Sequence, residues 1–129
     1  IVLVHDAARP LVGAATIDRV VESVRAGRCA TAAMPVVDTL KAVDETGRIA
    51  RTVERDGLWR AQTPQGFPRQ VIVDVHRRAR AERLSATDDA GLCERFGIPV
   101  HVVRGSERAL KVTDANDFAR IDALFMTDE

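Results

Sequence analysis

Four apolar residues, Ile1-Val2-Leu3-Val4, lead directly to an acid at Asp6 and a base at Arg9. A short continuous apolar run of this kind reads as a strand buried on both faces, as in a parallel sheet. In open α/β sheets the ligand crevice lies beyond the carboxyl ends of the strands. Asp6 and Arg9 are therefore expected at a crevice, one able to hold a divalent cation and the other an oxyanion. The alternative is that they cap the loop and pair locally. Strand alternation puts His5 on the opposite face. Residue 1 already lies inside the strand, and a central parallel strand needs neighbours and a crossover before it. The chain is thus expected to be the later part of a longer protein, with residues 1–129 the C-terminal portion of a single domain whose N-terminal part is missing.

The remaining sequence alternates between two periodicities. Ile17, Val20, Val21 and Val24 follow the i, i+3, i+4, i+7 rule, which predicts a helix over 15–26 with Thr16 as N-cap and Gly27 as its end. Cys29 to Val37 is small and apolar, a second buried strand. Residues 41–44 and 48–53 flank Glu45-Thr46-Gly47 as a β-hairpin with a glycine turn. The hairpin is mostly polar and has little core to face, so it is expected to reach out and pair with something, over about 38–56. Leu58 to Thr63 is a further strand, ended by Pro64-Gln65-Gly66-Phe67-Pro68. A helix is predicted at 69–83, with Val71, Ile72, Val75 and Ala79 on one face. A short helix follows, N-capped by Thr87 and stopped by Gly97 and Pro99. Val100 to Val103 is a strand, Leu110 to Thr113 a short extended piece, and 115–126 a last helix that buries Phe118, Ile121 and Phe125. Alternating strands and helices predict a three-layer α/β fold.

Composition narrows the functional classes. The formal net charge is zero, which argues against a nucleic-acid partner or a polybasic membrane anchor. No apolar run approaches the ~20 residues of a membrane-spanning helix. Cys29 and Cys93 lack metal or redox spacing and read as buried thiols of a cytoplasmic protein. His5, His76 and His101 form no zinc pattern, and the arginines around His76 read as a solvated helix face. Of the 19 basic residues, two are lysines, Lys41 and Lys111. A chain this rich in Arg keeps Lys where a compact ammonium is wanted.

The candidate site residues are Asp6, Arg9, Thr39, Lys41, Arg55, Thr63, Thr87 and Lys111. They are mostly cations and hydroxyls around one acid, and they include no Ser-His-Asp or Cys-His set. Such a set suits phosphate-bearing ligands. Phosphoryl and nucleotidyl transfer need placement and charge neutralisation more than covalent chemistry, and an attacking phosphate is already anionic.

Five segments occur in order: His5-Asp6-Ala7-Ala8-Arg9-Pro10, Asp38-Thr39-Leu40-Lys41, Arg55-Asp56-Gly57-Leu58-Trp59-Arg60-Ala61-Gln62-Thr63-Pro64-Gln65-Gly66-Phe67, Thr87-Asp88-Asp89-Ala90, and Leu110-Lys111-Val112-Thr113. Together they resemble the 2-C-methyl-D-erythritol 4-phosphate cytidylyltransferases of the non-mevalonate isoprenoid pathway. The resemblance covers the whole chain and the second half of the family's domain. It implies a Rossmann-like, three-layer α/β/α nucleotidyltransferase that joins CTP to the sugar-alcohol phosphate with Mg²⁺ and releases pyrophosphate, in the bacterial cytoplasm. It implies Asp6 at the metal and the substrate hydroxyls with Arg9 nearby, Thr63 and Thr87 lining the substrate pocket, and Lys111 at the substrate phosphate. It also makes the hairpin a dimerisation arm that carries Thr39 and Arg55 into the site of a second copy, so that Arg55 and Lys111 are the catalytic pair of a homodimer.

Two features depart from the family. The Gly-rich loop, Arg and Lys that cradle its triphosphate have no counterpart here, so this chain alone is expected to be inactive. Ala109 stands where Asn is common. The alternatives are a cytidylyltransferase for another alditol phosphate, such as ribitol 5-phosphate, and a non-catalytic dimerisation fragment.

Overall fold

The computed structural model describes residues 1–127; Asp128 and Glu129 lie outside the described residues. In chain order the elements are β1 (Val2–Val4), α1 (Ala14–Arg25), β2 (Cys29–Pro35), β3 (Leu40–Val43), β4 (Ile49–Val53), β5 (Trp59–Phe67), α2 (Arg69–Glu82), α3 (Asp89–Arg95), β6 (Val100–Arg104) and α4 (Asn116–Phe125). Four strands form one sheet in the order β1-β5-β2-β6, and β3 and β4 form a separate two-stranded sheet. Among the described residues no helix is long and apolar enough to cross a membrane.

The small residues of β2 explain the layering. Ala30 and Ala32 face α1 and cluster with Val20, while Cys29 faces the other side with Phe67, Ile72, Val75, Ala79, Leu92 and Cys93. Short side chains on both faces let a helix layer approach each side, which gives the predicted three layers. The sheet is mixed rather than parallel. β6 runs parallel to β2, but β5 is antiparallel to both β1 and β2. β1 also departs from the expectation of a strand buried on both faces. Among the described residues it hydrogen-bonds to β5 alone, and Leu3 and Val4 are each 37% exposed.

β5 runs longer than its sequence suggests because its ladder is interrupted rather than ended at Pro64. Residues 59–61 pair with Pro35 to Ala33, and the ladder resumes at Gln65 and Gly66 opposite Thr31 and Ala30. Proline lacks the ladder donor, and such an irregularity is where a strand tolerates it. Beyond the break, Gly66 lets α1 sit directly on the strand. A Cβ there would lie 2.5 Å from Val20 Cγ1 and 2.8 Å from Val24 Cγ2.

The N-caps differ from the predicted ones, by three residues at α1 and by one at α3. Gly13 precedes α1 without a side-chain cap, so Thr16 lies buried in the first turn and its Oγ1 accepts from Arg19 Nη2. Asp88, not Thr87, caps α3: Asp88 Oδ1 accepts from Gly91 N at 2.7 Å. The carboxylate at 88 takes the capping role and leaves the Thr87 hydroxyl free of it. Leu110 to Thr113 form no strand. On the predicted arginine face of α2, Arg78 stacks 4.1 Å over the Phe96 ring.

α4 corrects a burial expectation. Phe118 is 62% exposed and Phe125 72%, and Ile121 is only partly covered. The helix is held instead by a polar anchor. Buried Asp117 Oδ2 accepts from Thr113 N at 2.9 Å, Thr113 Oγ1 at 2.9 Å and Asp114 N at 3.3 Å, and Arg120 Nη1 donates to Oδ1. The Thr113 bonds, backbone first, hold the Asp117 carboxyl below the usual carboxylate range, against the opposing effect of burial. Cys29 and Cys93 are free and buried, and burial pushes the Cys93 thiol up to about 12.

The hairpin turn is built by Asp44. Its Oδ1 accepts from Thr46 N, Thr46 Oγ1 and Arg48 N, and Gly47 takes the left-handed φ of +84° that a side chain disfavours.

Gly66→Ala should lower unfolding free energy by about 1–3 kcal/mol, the usual cost of overpacking, because the β-branched valines it meets have little rotamer freedom. An unchanged urea midpoint would show that α1 is free to step away from β5. The lowered Asp117 pKa gives a pH dependence of fixed sign. Its stabilisation is present above the ordinary carboxylate value of 3.8 and is lost as pH falls through the lower folded-state value. Melting temperatures of Asp117→Asn should therefore fall below wild type at neutral pH, and the two should converge on acidification.

Candidate functional site

The cleft forms where the first loop, the interrupted middle of β5, the start of α3 and the loop after β6 meet. It encloses about 290 Å³ and is lined by His5, Asp6, Arg9, Gln62, Thr63, Gln65, Thr87, Asp88, Asp89 and Lys111, among others. Of the candidate residues, Asp6, Arg9, Thr63, Thr87 and Lys111 come together here.

Asp6 and Lys111 form its charged centre. Lys111 Nζ lies 3.0 Å from Asp6 Oδ2, with the two side chains 50% and 27% exposed. Asp6 Oδ1 accepts from Ala8 N at 3.1 Å, and Arg9 N donates to Asp6 O at 2.9 Å, so the loop folds back on its own acid. The bond from Lys111, then that from Ala8, holds the Asp6 carboxyl below the usual carboxylate range, against a smaller opposing effect of burial. Asp6 is therefore ionised at neutral pH. Arg9 Nη1 donates to Ala109 O at 2.7 Å, which ties the first loop to the one that carries Lys111. Burial pulls the Arg9 guanidinium pKa down and the Asp6 charge opposes it; an arginine nonetheless keeps its proton. Both original alternatives for Asp6 and Arg9 are thus partly realised: they order their own loop and they also face a crevice.

Thr63 is the junction of the strand and the loop. Its Oγ1 accepts from Asp6 N at 3.0 Å and lies 2.9 Å from His5 Nδ1. His5 is therefore in the cleft and not on the opposite face. β1 ends at Val4, so the alternation rule no longer applies at residue 5. Its Nε2 lies 3.0 Å from Arg9 O.

Two glutamines of β5 were not singled out from the sequence. Gln65 Oε1 accepts from Ala90 N at 3.0 Å and its Nε2 donates to Asp88 Oδ2 at 2.9 Å, so it seats the start of α3. Gln62 binds the loop after β6. The available signal was a pair of amides three residues apart in a strand-like segment, where side chains this polar are rarely buried without partners.

Thr39 and Arg55 lie elsewhere. They line a separate cleft of about 360 Å³ on the hairpin with Thr52, Val53 and Glu54, and Arg55 Nη1 donates to Val37 O. Lys41 stays on the hairpin too, where its Nζ donates to Thr52 Oγ1 across the strand pair at 2.7 Å. His76 lies outside the central cleft but bonds Asp89 Oδ1 at 2.5 Å.

The cleft can hold an anion against Lys111 and Arg9 while presenting one ionised carboxylate and several hydroxyl or amide groups. Known proteins are similar to this chain in both sequence and fold. The sequence model described as 2-C-methyl-D-erythritol 4-phosphate cytidylyltransferase matches residues 1–127. The protein of that name from Salinibacter ruber is 50% identical over 126 residues, which are 98% of this chain and 52% of the relative. That from Deinococcus radiodurans is 46% identical over 95% of this chain and 53% of its own length. The crystal structure of the one from Thermus thermophilus superposes with a TM-score of 0.88 at 39% identity, covering 95% of this chain and 60% of that chain. The chain spans about half the length of the curated relatives it matches. These matches bear the methylerythritol name rather than that of another alditol phosphate, and the chain belongs to the 2-C-methyl-D-erythritol 4-phosphate cytidylyltransferase family.

Proposed function

We propose that this chain supplies the acceptor side of a cytidylyltransferase that joins CTP to 2-C-methyl-D-erythritol 4-phosphate, giving CDP-methylerythritol and pyrophosphate. The observation that carries this reading is the Asp6–Lys111 pair beside Arg9, with Thr63 and Thr87 on the same cleft. The reaction brings an attacking phosphate to a triphosphate. Two unit charges of like sign 4 Å apart near a protein surface repel by about 4 kcal/mol. Fixed cations offset that repulsion, and Lys111 and Arg9 are placed to do so. The substrate phosphate oxygen needs no general base because it is already ionised. Asp6, with lone pairs to spare, would accept from a substrate hydroxyl, and the Thr63 and Thr87 hydroxyls would orient the sugar alcohol.

A divalent cation fits this donor set. Among the described residues no group of three or more His, Cys, Asp or Glu side chains could cage a metal. Mg²⁺ needs no such cage, since it takes one or two carboxylates along with substrate phosphates and water. Asp6 is ionised and would be its protein ligand. Bound there, Mg²⁺ would neutralise charge on the phosphate oxygens.

The hairpin supports a homodimer. It forms its own sheet, and Leu40, Val43 and Ile49 on it are 37%, 59% and 56% exposed, an apolar content that a second copy would cover. An isolated two-stranded hairpin is marginal by itself. In this reading the arm of residues 38–56 brings Thr39 and Arg55 to the partner's acceptor phosphate. The reading also includes a bacterial cytoplasmic location, which the free thiols of Cys29 and Cys93 support, and no nucleic-acid or membrane partner. Residues 1–129 are read as the C-terminal portion of one nucleotidyltransferase domain. The rest of a protein of the relatives' length would supply the triphosphate cradle.

Two outcomes test it. The 129-residue chain alone should release no pyrophosphate from CTP and methylerythritol phosphate, whereas the protein at its relatives' length should; turnover by the short chain at a normal rate would refute the division of the site. In the longer protein, Lys111→Ala and Arg55→Ala should each lower kcat by about 10²-fold or more, the scale of one lost transition-state donor. Mixing the two variants should return about half of wild-type activity per heterodimer, because one of its two sites then has both groups intact. No recovery in verified heterodimers would place both groups in one subunit's site.

A further inference from the structure

We infer that Gln62 is a positioning residue for Lys111: its carboxamide clasps the loop of residues 105–113 to β5, and the clasped loop sets the ammonium against Asp6. The inference rests on the role proposed above for Lys111. Gln62 is 6% exposed. Its Nε2 donates to Ser106 O at 2.9 Å and its Oε1 accepts from Ser106 N at 3.2 Å. Side chain and backbone thus close a two-bond ring, a copy of one rung of a β ladder at the place where β5 has lost its regular one. Only a carboxamide offers a donor and an acceptor side by side on one rigid plane.

The loop's path depends on this ring. It leaves β6 at Gly105, whose N donates to Ala33 O at 2.8 Å. A Cβ on Gly105 would overlap Gln62 Oε1 and lie 3.3 Å from Ala33 O, so the loop enters pressed against the amide with no room for a side chain. Beyond the clasp, Ala109 N donates to Ser106 O, Ala109 O accepts from Arg9, and Val112 N donates to Ala8 O at 2.8 Å. Lys111 lies between those last two ties. A lysine ammonium rides on a flexible four-carbon stem, and this side chain is half exposed. Its place is therefore set by the path of its backbone, and the clasp fixes that path where the loop leaves the sheet, ahead of the two ties that flank Lys111.

The test uses the protein at its relatives' length and two independent variants. Gln62→Met keeps the side chain's length and apolar stem but removes both bonds, while Gly105→Ala keeps the amide and crowds it from the loop side. Hydrogen exchange followed by mass spectrometry should show the 105–113 segment exchanging at least about tenfold faster in both, with β2 and β6 at wild-type rates. A general loss of stability would speed all three. In kinetics, Gln62→Met should lower kcat by roughly ten- to a hundredfold, the cost of an ångström of misplacement, with KM for CTP within about twofold. On a Lys111→Ala background the same change should cost less than about twofold. Wild-type exchange at 105–113 in Gln62→Met overturns the clasp, and an equal kcat loss on both backgrounds overturns the link to Lys111. If Gln62→Met does not fold, Gly105→Ala carries both readouts. A wild-type protein without pyrophosphate release would refute the proposed reaction, while the exchange data would still decide whether Gln62 holds the loop.

Discussion

Strand β5 has two demands to meet at once. It must pair on both sides, with β1 and with β2, and it must also turn polar side chains toward a cleft. The break in its ladder around Pro64 reconciles them. On either side of the break the strand pairs regularly and packs against helices, with Phe67 fully buried and Gly66 under α1. At the break and at the residue where the ladder resumes, the side chains of Gln62, Thr63 and Gln65 bond three other segments: the loop after β6, the loop after β1 and the start of α3. A buried polar group left unpaired costs about 1–3 kcal/mol. The same bonds that satisfy these side chains therefore hold the cleft's walls together.

The charges follow from that frame rather than create it. A partly exposed ion pair such as Asp6 with Lys111 contributes only about 0–1 kcal/mol to stability. Its importance lies in where it places an ionised carboxylate and an ammonium: at the meeting point of loops more than a hundred residues apart in sequence, each fastened by backbone bonds such as Val112 N to Ala8 O.

Much of this was legible from local pattern. The i, i+3, i+4, i+7 spacing of Ile17 to Val24 located α1, the glycine turn located the hairpin, and the apolar run before Asp6 located a strand end at a cleft. What failed depended on long-range geometry. Strand direction is not written in an apolar run, so β1 was expected in a parallel sheet, whereas it pairs antiparallel with β5. Alternation ceased to apply to His5 because the strand had already ended. Phe118 and Phe125 sit at helical spacing, yet α4 is anchored by Asp117, and a residue's side-chain partners are not encoded in periodicity. Thr87 and Asp88 compete for one cap, and sequence alone does not rank a hydroxyl below a neighbouring carboxylate already committed to Gln65. That Asp6, Arg9, Thr87 and Lys111 would gather was nonetheless legible in the sequence, because loops beside strands and helices are where polar groups collect, and Thr63 joins them from the interrupted middle of β5.

The two buried thiols have a practical consequence. The thiolate is the nucleophile, and burial, which pushes the Cys93 thiol up to about 12, keeps that side chain protonated at neutral pH. Cys93 and Cys29 lie in the cluster that joins the sheet to α2 and α3. An alkylating dye can therefore reach these sulfurs only when that layer lifts away. The rate of labelling becomes a native stopwatch for opening of the core, with no engineered probe and no surface cysteine among the described residues to mask the signal.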